Sequence, residues 1–298
     1  MPEGSGSRAP QLPLQLGRRE FAPHEPVVMA IVNRTPDSFF DKGRTYALDA
    51  ALDRVDQVVE EGAAIVDVGG VKAAPGDEVD AAEETRRVLE VVEAIRDRHP
   101  DVVISVDTYR AEVGDAACRA GADLLNDAWG GWEPELAEVA ARHGVGLVCT
   151  HAGGLPPRTR PHRIEYDDVV EDVRRTVVGL AERAVALGVP RASVLIDPGH
   201  DFGKNTRHSL EITRRLGELV DTGWPVLVAL SRKDFVGEVL DLPPDDRLEG
   251  TLAATAISAL LGARVFRAHD VAATLRVVRT AATVTGAAAP PYARRGLA

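Results

Sequence analysis

Short runs of apolar residues recur along the chain, and each ends at a polar residue or at glycines. Residues 194–196 form one such run, which stops at Asp197 because Pro198 cannot donate to a sheet ladder. Seven further runs end in the same way, at Asn33, Gly69, Asp107, Asn126, His151, Ser231 and Arg267. Amphipathic helical patterns separate the runs. Short buried strands that alternate with such helices predict βαβ units and a parallel sheet.

Eight such units are the number that closes a (β/α)8 TIM barrel, here a single α/β domain over residues 27–285. Residues 1–26, rich in Pro, Gly and Ser, are expected to form a flexible arm, and residues 286–298 a polar tail. In this fold the carboxyl ends of the strands hold the active site. Each polar residue at a strand end could simply cap a turn, but together they favour one binding mouth. The residues expected there are Asn33, Asp107, Asn126, Asp197, Lys233, Arg267 and His269.

Composition narrows the classes of partner. The formal net charge of −11 argues against a nucleic acid or an anionic membrane surface. No run approaches the ~18 apolar residues of a membrane span, and no segment has the pattern of a signal peptide. The two cysteines, Cys118 and Cys149, fall in a helical and a strand pattern and suit a reducing compartment. We therefore expect a cytoplasmic protein that acts on a small molecule.

Four of the predicted mouth residues suit a flat heterocycle. The carboxylates of Asp107 and Asp197 would accept hydrogen bonds from ring N–H and amino groups. Asn126 and Lys233 would serve ring oxygen and nitrogen atoms. The set therefore favours a ligand that presents alternating donors and acceptors.

The other mouth residues suit a phosphate group. Arg267 and His269 follow the last strand, with Asn33 opposite them, and barrels often bind phosphate near the last two strands. A heterocycle at one end and a diphosphate at the other describe a substrate activated for displacement at the carbon between them. Mg²⁺ held largely by phosphate oxygens fits that reaction.

Eight short motifs lie at or near the ends of the predicted strands: Asn33-x-Thr35-Pro36-Asp37-Ser38-Phe39, Asp67-Val68-Gly69-Gly70, Ser105-Val106-Asp107-Thr108, Asn126-Asp127, Asp197-Pro198-Gly199, Phe202-Gly203-Lys204-Asn205, Ser231-Arg232-Lys233 and Arg267-x-His269-Asp270-Val271. Together they resemble the motifs of the dihydropteroate synthases. They occur in the family's order and span roughly residues 27–284. That family is a (β/α)8 barrel, usually a homodimer. With Mg²⁺ it joins para-aminobenzoate to 6-hydroxymethyl-7,8-dihydropterin pyrophosphate and releases pyrophosphate.

The resemblance implies a role for each matching residue. The pterin ring would be held by Asp107, Asn126, Asp197 and Lys233, of which Asp107, Asp197 and Lys233 would be catalytic. Pyrophosphate would be held by Asn33, Arg267 and His269, with Asn33 also a ligand of Mg²⁺. The para-aminobenzoate side would be bordered by Ser231, Phe202 and Pro75. The homodimer would use the Ala-rich helix expected over residues 248–261.

The chain departs from the family in the loops that would cover the site. The family's second loop reads Gly-Gly-Glu-Ser-Thr-Arg-Pro-Gly, whereas Ala73 and Ala74 stand here where Thr and Arg are usual. Losing a charged hydrogen bond costs about tenfold or more in affinity, and losing a transition-state clamp ~100-fold in rate. His200 and Asp201 also interrupt the usual Gly-rich sequence after Gly199. The pattern is similar to the divergent second copy of the synthase in some actinobacteria, which implies weak or absent activity.

Three functions remain open on these residues. The favoured one is a synthase-like barrel with little ordinary activity. The second is an active synthase in which Lys72, Arg34 or Lys42 replaces the missing clamp. The third is a non-catalytic pterin-binding or subunit-partner protein. The basic loop over residues 152–161 is either a phosphate-side loop or a solvated excursion, and Trp129 and Trp132 either line the ligand pocket or pack the rim.

Overall fold

The computed structural model of the protein describes residues 13–35, 47–73, 75–159 and 165–295. Within these ranges the strands are β1 (Leu14–Leu16), β2 (Arg19–Phe21), β3 (Val27–Asn33), β4 (Ile65–Gly69), β5 (Val103–Asp107), β6 (Leu124–Asp127), β7 (Gly146–Thr150), β8 (Val194–Asp197), β9 (Leu227–Ala229) and β10 (Val265–Ala268). The α-helices are α1 (Leu48–Glu60), α2 (Ala81–Arg98), α3 (Ala111–Ala120), α4 (Glu135–His143), α5 (Val169–Leu187), α6 (Thr206–Arg214), α7 (Gly217–Val220), α8 (Asp234–Leu240), α9 (Leu248–Leu260) and α10 (Val271–Val284).

The strands β3 to β10 form a parallel barrel. They pair in the order β8-β7-β6-β5-β4-β3-β10-β9. The ring closes between β8 and β9, where Ile196 bridges Val226 and its N–H donates to the carbonyl of Pro225 at 3.0 Å. The predicted (β/α)8 barrel is therefore confirmed, and each of the eight apolar runs became one of its strands. The helix from Asp80 also begins as predicted, since that carboxylate accepts the N–H of Glu83 at 2.8 Å.

The amino end of the barrel is closed by a small hairpin. The strands β1 and β2 pair antiparallel across Gly17, whose φ of +54° suits glycine. Leu14, Leu16 and Phe21 are buried against apolar side chains that line the barrel interior. The Arg264 guanidinium fastens the hairpin by donating to the carbonyls of Phe21 and Ala22, each at 2.7 Å.

This hairpin corrects the expectation of a flexible arm over residues 1–26. Residues 1–12 lie outside the described part of the chain, but Leu14–Leu16 and Arg19–Phe21 are paired and packed. The apolar residues of two three-residue strands are too few to form a recognisable period. Only their burial against the barrel floor reveals them.

The helix α9 buries polar side chains and exposes apolar ones. Its buried positions are Thr251, Thr255 and Ser258, whereas Ile257 and Leu260 are 48% and 46% exposed. Helix faces directed to solvent are usually polar.

In the described part of the chain, no helix combines the length and apolarity needed to cross a bilayer.

Candidate functional site

The ends of four neighbouring strands place polar side chains side by side. Asn33 pairs in register with Gly69, Gly69 with Asp107, and Asp107 with Asn126. A Cβ added to Gly69 would lie 3.5 Å from Asn33 Oδ1 and 3.7 Å from Asp107 Cβ. Gly69 is buried, and its lack of a side chain lets the amide and the carboxylate lie close on either side of it. The structure thus brings Asn33, Asp107 and Asn126 to one edge of the barrel, as the sequence predicted.

Arg267 crosses this edge and joins two carboxylates. Its Nε donates to Asp67 Oδ2 at 2.6 Å and its Nη2 to Asp107 Oδ2 at 2.9 Å. Asp67 is fully buried and also accepts Ser105 Oγ at 2.5 Å and Asn126 Nδ2 at 3.1 Å. The guanidinium therefore lies at the base of the mouth. Its predicted contact with pyrophosphate stays a prediction.

Asp67 is a site residue that the sequence analysis did not single out. The signal was present, because a lone carboxylate interrupts the apolar run of β4, and a fully buried Asp requires partners. Its three hydrogen-bond donors come from β5, β6 and β10. Asp67 therefore fixes the relative positions of Asn126 and Arg267.

The pKa of the Asp107 carboxyl is raised far above its ordinary value. Burial raises its pKa to about 7, against the opposing charge of Arg267, and the carboxylates of Asp67 and Glu84 raise it further. A carboxyl group with a pKa near neutrality can either accept or donate a proton at physiological pH. Such a group suits ring recognition and acid–base chemistry.

Asp197 and Lys233 occupy the opposite side of the mouth. Asp197 Oδ1 accepts the N–H of Gly199 at 2.7 Å, and the Lys233 ammonium donates to the carbonyl of His200. Burial raises the pKa of Asp197 and the charge of Lys233 opposes that shift. Burial likewise lowers the pKa of Lys233, with Asp201 and then Asp197 opposing it. Asp197 and Lys233, the two predicted ring-binding groups on this side, are therefore close enough for the charge of each to shift the pKa of the other.

Ser231 and His269 form a hydrogen-bonded pair after β9 and β10. Ser231 Oγ lies 2.9 Å from His269 Nδ1 and accepts the backbone N–H of His269 at 3.2 Å. Burial, aided by the charge of Arg267, lowers the pKa of His269 to about 3. The ring of His269 is therefore neutral at physiological pH in the ligand-free site.

Aromatic side chains form one wall of the mouth. The rings of Trp129 and Phe202 meet edge to face with centroids 5.1 Å apart, and the Lys233 ammonium lies 4.7 Å from the Phe202 centroid. Trp129 is buried beside Ala128 and Ala152, whereas Trp132 is 48% exposed. Of the two tryptophans, Trp129 thus packs the rim next to Phe202.

A buried lysine supports the loop that follows β8. Lys204 Nζ donates to the carbonyls of His151, Gly199 and Phe202 at 2.8–3.0 Å and lies 2.7 Å from His151 Nδ1. His151 Nε2 in turn lies 2.9 Å from Asp172 on α5. Burial, with the Lys204 charge, lowers the pKa of His151 to about 4, so the ring is neutral. These contacts were not foreseen from the sequence and hold Asp197 and Phe202 in place.

Loop two, residues 69–80, is held by arginines from other elements. Arg87 on α2 donates to the carbonyl of Gly70 at 3.1 Å, and Arg110 to that of Val79 at 2.7 Å. Arg158, from the basic loop after β7, donates to the carbonyls of Lys72 and Asp77 at 3.1 and 2.7 Å. The basic loop therefore contacts loop two. Pro75, predicted on the para-aminobenzoate side, lies exposed in loop two.

The cations predicted to replace the missing clamp differ in position. The Arg34 side chain is buried, and its Nη1 lies 3.2 Å from Glu90 on α2. Lys72 lies in loop two, and its carbonyl accepts from Arg158. Lys42 lies outside the described residues, as does Ala74.

Comparisons with known proteins agree with the motifs. Residues 29–269 match the family described as pterin binding enzyme. The chain is 55% identical over 284 residues to a Mycobacterium tuberculosis protein named inactive dihydropteroate synthase 2, with 94% of this chain and 89% of that protein covered. It is 40% identical over 255 residues to the dihydropteroate synthase of Escherichia coli, with 85% and 90% covered. The crystal structure of the Yersinia pestis dihydropteroate synthase with a sulfonamide drug complex superposes with a TM-score of 0.87 at 37% identity, covering 93% of this chain and 100% of that one.

Proposed function

Because this chain belongs to the pterin-binding enzyme family, we propose that it binds a reduced pterin in the barrel mouth and forms dihydropteroate slowly or not at all. One observation carries the proposal. The ring-binding side chains at the strand ends are assembled and fixed by hydrogen bonds, whereas loop two carries alanines where a hydroxyl and a guanidinium are usual.

The proposed pterin mode uses groups whose chemistry complements the ring. Asp107 and Asp197 accept from ring N–H and amino groups, and Asn126 and Lys233 bind ring oxygen and nitrogen. Phe202, Ser231 and Pro75 would border the second substrate, if one is used. Buried polar groups of this kind discriminate strongly against ligands that leave them unpaired.

The diphosphate end of the site is proposed to be weak. Arg267 already pairs with Asp67 and Asp107, and Ala74 stands where a guanidinium is usual in loop two, so little positive charge is left to face a diphosphate there. Asn33 would contact the diphosphate and supply an amide oxygen to Mg²⁺, a ligand type that this cation accepts. No group of three or more metal-binding His, Cys, Asp or Glu side chains occurs in the described ranges. The cation would therefore be held mainly by phosphate oxygens, whose charge it would neutralise.

The relatives support low activity. The mycobacterial protein that shares 55% of its residues with this chain is named inactive, whereas the Escherichia coli synthase shares 40%. We extend the property of the more similar relative to this chain because Ala73 and Ala74 give it a physical cause. A missing transition-state clamp is worth ~100-fold in rate.

A synthase assay tests this proposal. Purified protein is mixed with 6-hydroxymethyl-7,8-dihydropterin pyrophosphate, para-aminobenzoate and Mg²⁺, and dihydropteroate is quantified against the Escherichia coli enzyme. We expect a kcat at least ~100-fold below that of the active control. A kcat on the order of 1 s⁻¹ would instead mark an ordinary synthase. Lys72 would then be the candidate replacement clamp, and Lys72→Ala should abolish turnover while pterin binding persists.

We further propose a homodimer formed through α9. Its exposed face carries Ile257 and Leu260, and its buried face carries Thr251, Thr255 and Ser258. A second copy of the same face would cover the apolar side chains. Light scattering should give twice the chain mass, and Ile257→Glu should give the mass of one chain.

The cysteines Cys118 and Cys149 are both unpaired, which suits the proposed cytoplasmic location.

A further inference from the structure

Asp201 adopts a backbone conformation that residues with side chains rarely take. Its φ is +66°, in the left-handed region, which Asp tolerates better than most residues but less well than glycine. The position falls in the loop where the family resemblance calls for glycines. A side chain kept at such a position indicates a compensating contact, and the structure supplies one.

The Asp201 carboxylate joins three elements. Its Oδ1 accepts Ser209 Oγ on α6 at 3.0 Å. Its Oδ2 accepts the N–H groups of Asp234 and Phe235, in the first turn of α8, at 2.8 and 3.3 Å. The loop after β8 is thereby fixed to the start of α8, and the residue immediately before that helix is Lys233.

The loop after β8 also contacts the side chain of Lys233. Its ammonium donates to the carbonyl of His200 and lies 4.7 Å from the Phe202 ring centroid. The His200 ring stacks on Phe235, with centroids 5.6 Å apart and an interplanar angle of 28°. Residues 200–202 thus contact Lys233 through both its side chain and the helix that follows it.

We propose that Asp201 is a positioning residue that sets where the Lys233 ammonium meets a pterin, acting through α8 and the His200 carbonyl. The inference rests on the proposed pterin site and adds a determinant of affinity outside the ring-contacting set. Asp201 touches neither the ring nor a reacting atom in this scheme. Its effect reaches the ligand only through Lys233.

The charges around Lys233 show how the effect can be detected. The carboxylates that face its ammonium are Asp201, Asp197 and Asp234, and the cations are Arg267, Lys204 and, if protonated, His200. Burial lowers the pKa of Lys233, and Asp201 is the largest charge that opposes the shift. Burial also lowers the pKa of His200 well below its ordinary value, so that ring contributes no charge near neutral pH. Removing the Asp201 charge should lower the pKa of Lys233 further.

The test compares Asp201→Asn and Asp201→Gly with the unaltered protein. Calorimetry with 6-hydroxymethyl-7,8-dihydropterin is run from pH 6 to pH 9.5. We expect about tenfold weaker binding at pH 7 in both variants and an alkaline loss of affinity that begins about one pH unit earlier. Glu249→Gln, an exposed carboxylate on the neighbouring helix α9, is the matched control and should change neither quantity. Unchanged affinity in the Asp201 variants would overturn the proposal, and so would a loss that is equal at every pH.

A second measurement does not depend on pterin binding. The Lys233 amine is titrated by NMR in the ligand-free protein after reductive ¹³C-methylation, with the signal assigned by its absence in Lys233→Arg. We expect Asp201→Asn to lower the Lys233 pKa by about one unit. If the unaltered protein bound no pterin, the proposed function would fail. The Asp201–Lys233 coupling would still stand or fall on this titration.

Discussion

The base of the mouth and the loop above it are held by different kinds of contact. At the base, side chains bind side chains across strand ends, as Arg267 binds Asp67 and Asp107. In loop two, arginines of other elements bind main-chain carbonyls, as Arg158 binds those of Lys72 and Asp77. The identity of the residues is therefore essential at the base. In loop two, the arginine contacts fix the path of the main chain and do not depend on the side chains of the loop.

This difference explains how binding and catalysis can separate in one barrel. A change at Asp107 or Asp67 would leave a buried charge without its partner, which is strongly destabilising. A change at Ala73 leaves every recorded arginine contact of loop two in place, because those contacts use carbonyl oxygens. Loop two could thus lose the hydroxyl and guanidinium that clamp the diphosphate while its main chain keeps the same path.

The largest effect is expected at the base. Lys233→Ala removes a buried cation that faces Asp197, and a charged hydrogen bond is worth about 1.5–3 kcal/mol. We expect the affinity for 6-hydroxymethyl-7,8-dihydropterin to fall by about 10- to 150-fold in calorimetry. Lys72→Ala, its counterpart in loop two, should change the affinity by less than about twofold. Equal losses in the two variants would erase the distinction between base and loop.

The next effect concerns catalysis. The double change Ala73→Thr and Ala74→Arg restores the hydroxyl and guanidinium usual in the family. We expect dihydropteroate formation to rise by about 10- to 100-fold, with the affinity for the pterin lacking diphosphate almost unchanged. The single variants serve as controls and should each give a smaller gain. A rate that stays at the level of the unaltered protein would show that the low activity has another cause.

Pterin binding should also depend on pH through Asp107. Its pKa of about 7 means that the carboxyl is protonated in more acidic solution and then accepts fewer hydrogen bonds from the ring. Affinity should therefore weaken as the pH falls through about 7, by up to about tenfold per unit. Asp107→Asn is expected to bind weakly with a flat profile between pH 5 and pH 8. A profile that is already flat in the unaltered protein would contradict the proton-linked role.

The smallest effect is expected from the contacts that hold loop two. Arg158→Ala removes two hydrogen bonds to loop carbonyls, and neutral or charged bonds at exposed sites contribute about 1 kcal/mol each. Amide hydrogen exchange over residues 70–79 should accelerate by about tenfold, while the affinity for the bare pterin stays within about twofold. Arg174→Ala, on the exposed face of α5, is the control. Unaltered exchange in the loop would mean that Arg158 does not hold it.

The barrel could be predicted because each strand is a compact apolar run that ends at a polar residue or at glycines. The same pattern placed Asn33, Asp107 and Asn126 correctly at one edge, since register in a parallel sheet aligns the strand ends. Contacts between distant segments left no pattern in the sequence. The Lys204 contacts with three carbonyls and the reach of Arg158 to loop two depend on tertiary geometry. Neither contact corresponds to a local period of apolar and polar residues.

The hairpin and Asp67 escaped prediction for a different reason. Three-residue strands are too short to show a period, and a single carboxylate inside an apolar run does not change its appearance as a strand. The hairpin became evident from its burial. Asp67 stands out in the sequence as a lone carboxylate in an apolar run, but its partners became evident only from the structure. The hairpin covers the barrel floor, and Asp67 collects three donors inside it.

The central claim is that the ring site is intact while the diphosphate clamp is lost. Calorimetric titration of the unaltered protein with 6-hydroxymethyl-7,8-dihydropterin, and in parallel with its pyrophosphate in the presence of Mg²⁺, measures both parts at once. We predict saturable binding of one pterin per chain in each titration, with the diphosphate improving affinity by less than about tenfold. Absence of binding by either pterin, or an improvement of 100-fold or more from the diphosphate, would contradict the account.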